Sequence, residues 1–395
     1  MPEVSVMRGV RVVELAAWVA GPAAGGVLAD WGADVIKVEP KGGDPQRSIF
    51  GAIGIDDQAS VPPFEIDNRG KRSVVLDLRT EEGMAAMHRL LEGADVFVTN
   101  TRVQALARLG LDPTTLRRRY PRLIYGIITG YGIDGPDADR PGYDVGAFWA
   151  RSGLGASFVP KGGLPPAIAS GFGDHVTGMT LAGGIAGALF DRQRTGDGHL
   201  VSTSLLRCGI YGAGWNTEVL LRFGKVSSAR RREQSMTPQV NSYQAGDGHG
   251  FWLLGLEADR HWPGLMASLG HPGFEHDPRF ATGRDRARHA DAVVAELDVA
   301  FASHTMTELT ARFDEHDVWW APIHTPYTLL DDEQIHASGA FVEVPGPDGE
   351  PYRSVATPVD FDAAGWDIGA VPALGEHTDE VFDEIDRAGS GDGGG

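Results

Sequence analysis

The first 130 residues alternate short β-branched runs with longer stretches of helical character, and that alternation indicates a parallel sheet with helical crossovers. "VRVVELA" (10–16) reads as a buried strand and is followed by a small-residue helix, "GPAAGGVLADWG". "DVIKVEP" (34–40), "RSVVLDL" (72–78), "DVFVTN" (95–100) and "LIYGIITGY" (123–131) complete five strands. Between the third and fourth, "TEEGMAAMHRLLEGA" opens on Thr80, an N-cap with acidic residues in the turn that follows. The fold class is α/β.

At 395 residues the chain exceeds what one core usually covers, so two domains are expected. Residues 174–195 read as a Gly- and Ala-rich helix that continues, after "TGDGH", into "LVSTSLLRCGIYGAGWNTEVLLRF". The large domain thus takes residues 1–223, and the polar stretch 224–244 reads as a linker. Residues 245–325 carry a strand, three helices and the short strand "VWWAPIHT", a small α+β domain. Residues 326–388 hold two strand-like pieces (340–345 and 350–356) and the acidic helix "TDEVFDEIDRAG"; 389–395, "GSGDGGG", reads as a disordered tail.

A net charge of −19 argues against nucleic acid or an anionic membrane as partner, while leaving room for a small anionic ligand that feels only a local cluster. No run approaches the roughly 18 apolar residues of a membrane span, and the N-terminus lacks a signal layout. The single cysteine, Cys208, excludes an internal disulfide and fits a reducing cytoplasm. The histidines show no metal-ligand spacing. "GPAAGG" (21–26) lacks the G-x-G-x-x-G spacing and Glu39 is a weak ribose ligand, so no nicotinamide or flavin is expected.

One stretch invites chemistry. "SGFGDHVTGMTLAGGIAGAL" (170–189) sets Asp174 among glycines at the start of a helix. Asp174 there is either a helix cap or a reactive carboxylate whose charge the helix N-terminus stabilises.

Five separated blocks bear on the choice: "GVRVVELAAWVAGPAAGGVLADWGADVIKVEPKGGDPQR", "NRGKRSVVLDLRTEEG", "DVFVTN…ARLGLD", "RPGYDVGAFWARSGL" and "GFGDHVTG…RQRTGDGH". In this order they resemble the class III CoA-transferase family, which includes formyl-CoA transferase, carnitine CoA-transferase and the methylacyl-CoA racemases. The resemblance implies a Rossmann-like large domain built from N- and C-terminal parts with the small domain inserted, and two chains interlocked as a homodimer. It implies coenzyme A, as acyl-CoA substrate, and a carboxylic acid as second substrate. It also implies Asp174 as the catalytic group, passing through acyl-aspartyl anhydride and aspartyl-CoA thioester states. The chemistry fits the residue, because a carboxylate can hold an acyl group in an anhydride reactive enough for the CoA thiolate to attack.

By the same resemblance Ala17, Trp18, Val19 and Ala20 line the CoA path, and Leu76, Arg79, Asn100, Thr101 and Arg108 match nucleotide-contacting positions. Lys41 and Arg47 are further phosphate candidates, and "KRS" (71–73) is either another basic contact or the exposed start of a strand. Tyr143 and Asp144, in "PGYD", stand where the racemases resemble "GHD"; a tyrosine is a poor base at neutral pH, so transfer is favoured over racemisation. His175 could replace the missing base, although neighbours at a helix start seldom point to one place. Gly255 marks the stretch equivalent to the family's glycine-rich loop, where Glu257 and Asp259 read as surface acids. Phe148, Trp149, Trp18 and the Trp319–Trp320 pair suggest aromatic pocket walls and an acyl group larger than formyl. Two other readings stand beside transfer: 2-methylacyl-CoA racemisation, and a CoA-binding subunit without activity of its own.

Overall fold

Alternation along the central strands decides how the chain layers. In β1 (Arg11–Leu15) Val12 and Val13 are buried on opposite faces; in β4 (Val96–Thr99) Val96 and Val98 oppose Phe97; in β5 (Ile124–Thr129) Ile124 and Ile128 oppose Tyr125 and Ile127. Both sets sit in apolar clusters, so both faces are covered, as a parallel sheet requires. The computed structural model describes residues 5–52, 54–55, 60–270, 274, 276–346, 349–362 and 368–391. With β2 (Asp34–Glu39), β3 (Arg72–Val75) and β6 (Leu200–Ser204), the strands form a six-stranded sheet in the order β3-β2-β1-β4-β5-β6, every pair parallel.

On one face lie the helices Ala20–Asp30 and Phe172–Thr195. Their approach depends on small residues: a Cβ on Gly178 would stand 2.8 Å from the Cβ of Ala23 and 3.0 Å from the amide nitrogen of Ala24. The other face carries Glu81–Glu92, Val103–Leu109, Pro113–Arg119 and, from the far end of the chain, Thr378–Gly391. Thr80 caps the first of these, its hydroxyl accepting from the Gly83 amide at 3.0 Å.

The chain divides into two compact units, Met1–Ser157 with Pro165–Val226 and Gly339–Gly395, and Phe158–Leu164 with Ser227–Ser338. In the second, β7 (Val240–Gln244), β8 (Gly250–Leu254) and β9 (Trp320–Pro322) form an antiparallel sheet. Its core is aromatic: the Phe301 ring lies 4.9 Å from Tyr243 and 5.0 Å from Phe251. A separate hairpin, β10 (Phe341–Pro345) and β11 (Pro351–Val355), belongs to the first unit.

Three readings of the sequence differ from this arrangement. Leu200–Ser204 is a sixth strand, not the start of a helix; its serines and threonine dilute the apolar signal of a half-buried sheet edge. Residues 240–244, read as linker, are β7, whose side chains alternate between core and surface. The C-terminal helix runs to Gly391, into the stretch read as a tail, and 392–395 lie outside the described residues.

Candidate active site

β1 and β4 are neighbours in the sheet, but the chain leaves β1 toward β2 and leaves β4 toward β5. Their carboxyl ends therefore open a crevice, the place where ligands bind in open α/β sheets. Here the Asn100 amide locks the two loops together. It accepts from the Ala17 amide at 3.1 Å and donates to the Ala17 carbonyl at 2.7 Å. Gly21 is required beside them, since a Cβ there would fall 2.6 Å from the Ala16 Cβ and 3.0 Å from the Asn100 side chain. The resulting cavity, about 320 Å³, is lined by Ala17, Trp18, Val19, Asn100, Tyr143 and Asp174, among others.

Asp174 reaches it from the first turn of Phe172–Thr195. The helix begins at Gly171, whose φ of +76° suits glycine, and no side chain caps it. The first-turn amides of a helix have no intrahelical acceptor, so they favour negative charge nearby. Among the described residues, no group donates a hydrogen bond to the Asp174 carboxylate. Burial, reinforced by the neighbouring Asp144 carboxylate, pushes its pKa up to about 7. Asp144 is itself buried at the head of a π-helical turn, Val145–Arg151; one oxygen accepts from the Val145 amide at 2.6 Å and the other has no hydrogen-bond partner among the described residues. Phe148 braces the helix start, its ring occupying the space a Cβ on Gly173 would need.

His175 points elsewhere. Its Nε2 lies 3.2 Å from the buried Asp67 carboxylate, and it lines a second, largely apolar cavity of about 490 Å³ with Val27 and Met179. The hydrogen bond to Asp67 raises its pKa. Asp67 adjoins a fully buried ionic cluster in which Glu14 binds Lys37 at 3.0 Å and Lys71 at 2.7 Å. Lys37 also pairs with Asp44 at 2.9 Å.

The structure thus gathers Ala17, Trp18, Val19, Ala20, Asn100, Thr101, Tyr143 and Asp174 around one cavity. Arg108 lines a neighbouring groove with Thr101. Lys41 is exposed, Leu76 is buried in the core directly after β3, and Arg79 is exposed and paired with Asp77 at 2.8 Å. Phe148 and Trp149 are core side chains, Trp149 donating to the Pro166 carbonyl. Asp144, too, stands behind the cavity wall rather than lining it. Gly255 is packed within the second unit, where a Cβ would stand 2.9 Å from Gln239. The sequence reading missed Arg102 and Arg140, which also line the cavity; the place of Arg102 directly after Asn100–Thr101 was the available signal.

Among the described residues no helix is long and apolar enough to cross a membrane, and no group of three or more His, Cys, Asp or Glu could hold a metal ion. Residues 7–378 match CoA-transferase family III. The chain is 35% identical over 386 residues to a cinnamoyl-CoA:phenyllactate CoA-transferase of Clostridium sporogenes, covering 96% of this chain and 93% of that one. It is 35% identical over 386 residues to an (R)-2-hydroxy-4-methylpentanoate CoA-transferase of Clostridioides difficile, covering 96% and 95%. A crystal structure of a CAIB/BAIF family protein from Brucella suis superposes with a TM-score of 0.84 at 32% identity, covering 97% of this chain and all of that one.

Proposed function

We propose that this chain, which belongs to CoA-transferase family III and is a CoA-transferase, moves CoA from an acyl-CoA to a carboxylic acid through covalent states on Asp174. The observation that carries this reading is a half-buried carboxylate, without a hydrogen-bonded partner among the described residues, facing the crevice at the sheet's switch point. The Asp174 carboxylate attacks the thioester carbonyl, forming an acyl-aspartyl anhydride and releasing CoA thiolate. The thiolate attacks the aspartyl carbonyl, giving aspartyl-CoA thioester and freeing the first acid. An incoming carboxylate displaces CoA from the aspartyl group, and the thiolate then takes the new acyl group, regenerating Asp174. No electrons are exchanged and no proton need remain on the enzyme.

Two features serve these steps. Partial desolvation raises the energy of the carboxylate before attack, while first-turn amides stand near charge that develops on the aspartyl oxygen. Arg102 and Arg140 offer cations to the CoA phosphates at the crevice mouth. His175, turned toward Asp67, takes no part in proton abstraction.

The reading extends to a homodimer in the cytoplasm. Tyr211, Trp215 and Phe223, on the helices Leu205–Gly212 and Gly214–Phe223, are 89%, 87% and 73% exposed; apolar exposure on that scale is what a second copy would cover. Sedimentation of the purified protein tests this. The catalytic reading is tested by mixing the protein with acyl-CoAs, quenching with hydroxylamine and mapping the peptides. A hydroxamate on Asp174 is expected. An unmodified Asp174 together with solvent exchange of the thioester's 2-proton would overturn it in favour of racemisation.

A further inference from the structure

Among the described residues only Trp18, Asp317 and Asp362 adopt a positive φ without being glycine, and Trp18, at +65°, is the one that lines the candidate active site. A bulky side chain in this left-handed region persists only where its surroundings over-determine the backbone. They do so here through three side chains in succession. Lys37 donates to the Ala16 carbonyl at 3.1 Å, Asn100 holds both backbone groups of Ala17, and Asp44 accepts from the Trp18 amide at 3.0 Å. Asp44 and Lys37 are 2% and 0% exposed and pair with each other, so the clamp is anchored in the cluster beneath the sheet's end.

Glycine would satisfy that backbone at no steric cost. The tryptophan is not there to fill the core either: it is 39% exposed, and among the described residues its ring has no aromatic or cationic neighbour and its indole N–H no acceptor. What remains is a large, partly exposed aromatic residue lining the cavity that Asp174 also lines. We propose that Trp18 is the specificity-determining residue for the acyl group, its indole stacking on a flat, aryl-bearing acyl chain, with Asp44 and Lys37 as the positioning residues that hold it there. The proposal rests on the transferase reading for the word acyl, and its test is chosen to stand apart from catalysis.

The test is equilibrium binding by calorimetry of two thioesters that share the CoA portion, acetyl-CoA and 3-phenylpropanoyl-CoA. Their affinity ratio isolates the acyl contact. Trp18→Gly, which relieves the backbone and keeps the fold, is expected to cut the preference for the aryl thioester by about tenfold, and Trp18→Phe to retain most of it. Asp44→Asn keeps an acceptor for the amide but loses the charge facing Lys37, and is expected to cut the preference by a smaller factor. An unchanged ratio in Trp18→Gly, an equal loss for both thioesters, or a gain for the aryl one would each overturn the proposal. An unchanged ratio in Asp44→Asn would overturn its positioning half. Hydroxylamine labelling of the wild-type Asp174 reads the transferase proposal separately, because the binding ratio requires no turnover.

Discussion

Two regions near the carboxyl end of β1 bury charge in opposite ways. Beneath the loop, Glu14, Lys37, Lys71 and Asp44 are inaccessible to solvent and each carries an opposite charge within hydrogen-bond distance. Above it, Asp174 is half-buried with no donor to its carboxylate among the described residues, and Asp144 beside it has the same sign. The first arrangement offsets the cost of desolvation and fixes geometry. The second leaves the cost standing as a raised pKa, which is how a reactive group is recognised. Partnered burial builds the scaffold; unpartnered burial marks the place where chemistry happens.

The sharpest way to break this contrast is Asp174→Asn. Transfer measured by acyl-CoA exchange should fall by at least about 1,000-fold. Thermal unfolding should show no loss of stability at neutral pH. The sign follows from linkage: a carboxylate whose pKa rises to about 7 on folding binds its proton more tightly when folded, so it costs stability as pH rises from the ordinary aspartate range toward 7. The variant should therefore gain on the wild type across that window. Lys37→Met attacks the other region and should cost about 3–5 kcal/mol in urea unfolding, because it strands Asp44 in the interior and leaves Glu14 with Lys71 as its remaining cation.

A smaller effect separates the two carboxylates of the site. Asp144→Asn removes a like charge, so the pH at which Asp174 acylation is half-maximal should drop below about 7; an unmoved midpoint would show that burial alone sets it. Smallest is His175→Ala. The Asp67 partner raises the His175 pKa, so the pair's contribution is complete below the ordinary histidine value and fades as pH rises through the folded one. His175 is substantially exposed, so melts at acidic and alkaline pH should differ by about 1 kcal/mol or less.

The strands β1 to β5 were legible because each is a run of β-branched residues buried on both faces. β6 was not, since its hydroxyl side chains dilute the apolar signal and the run passes directly into helical sequence, so that it reads as part of a helix. Strand order was invisible, as nothing local in "VRVVELA" or "DVFVTN" says that these two runs will lie side by side. Asp174 could be read from its glycine setting and the resemblance, whereas the partners of His175 could not: Asp67 is 108 positions away and meets it only through the packing of tertiary structure. Phe148 and Trp149 show the limit of reading aromatics as pocket walls, because a ring seated on Gly173 and an indole bonded to Pro166 serve the core.

β3 is an edge of the large sheet, and its outer side is completed by the last part of the chain. The Val75 amide donates to the Thr378 hydroxyl at 3.1 Å, the Ser73 carbonyl accepts from the His377 amide at 3.0 Å, and Val381 enters the core below. During synthesis this margin stays open while some three hundred further residues emerge. Until then it offers unpaired backbone groups to any extended segment nearby. The C-terminal helix is in that sense the closing step of assembly, and truncating it before Thr378 would leave a sheet ready to polymerise.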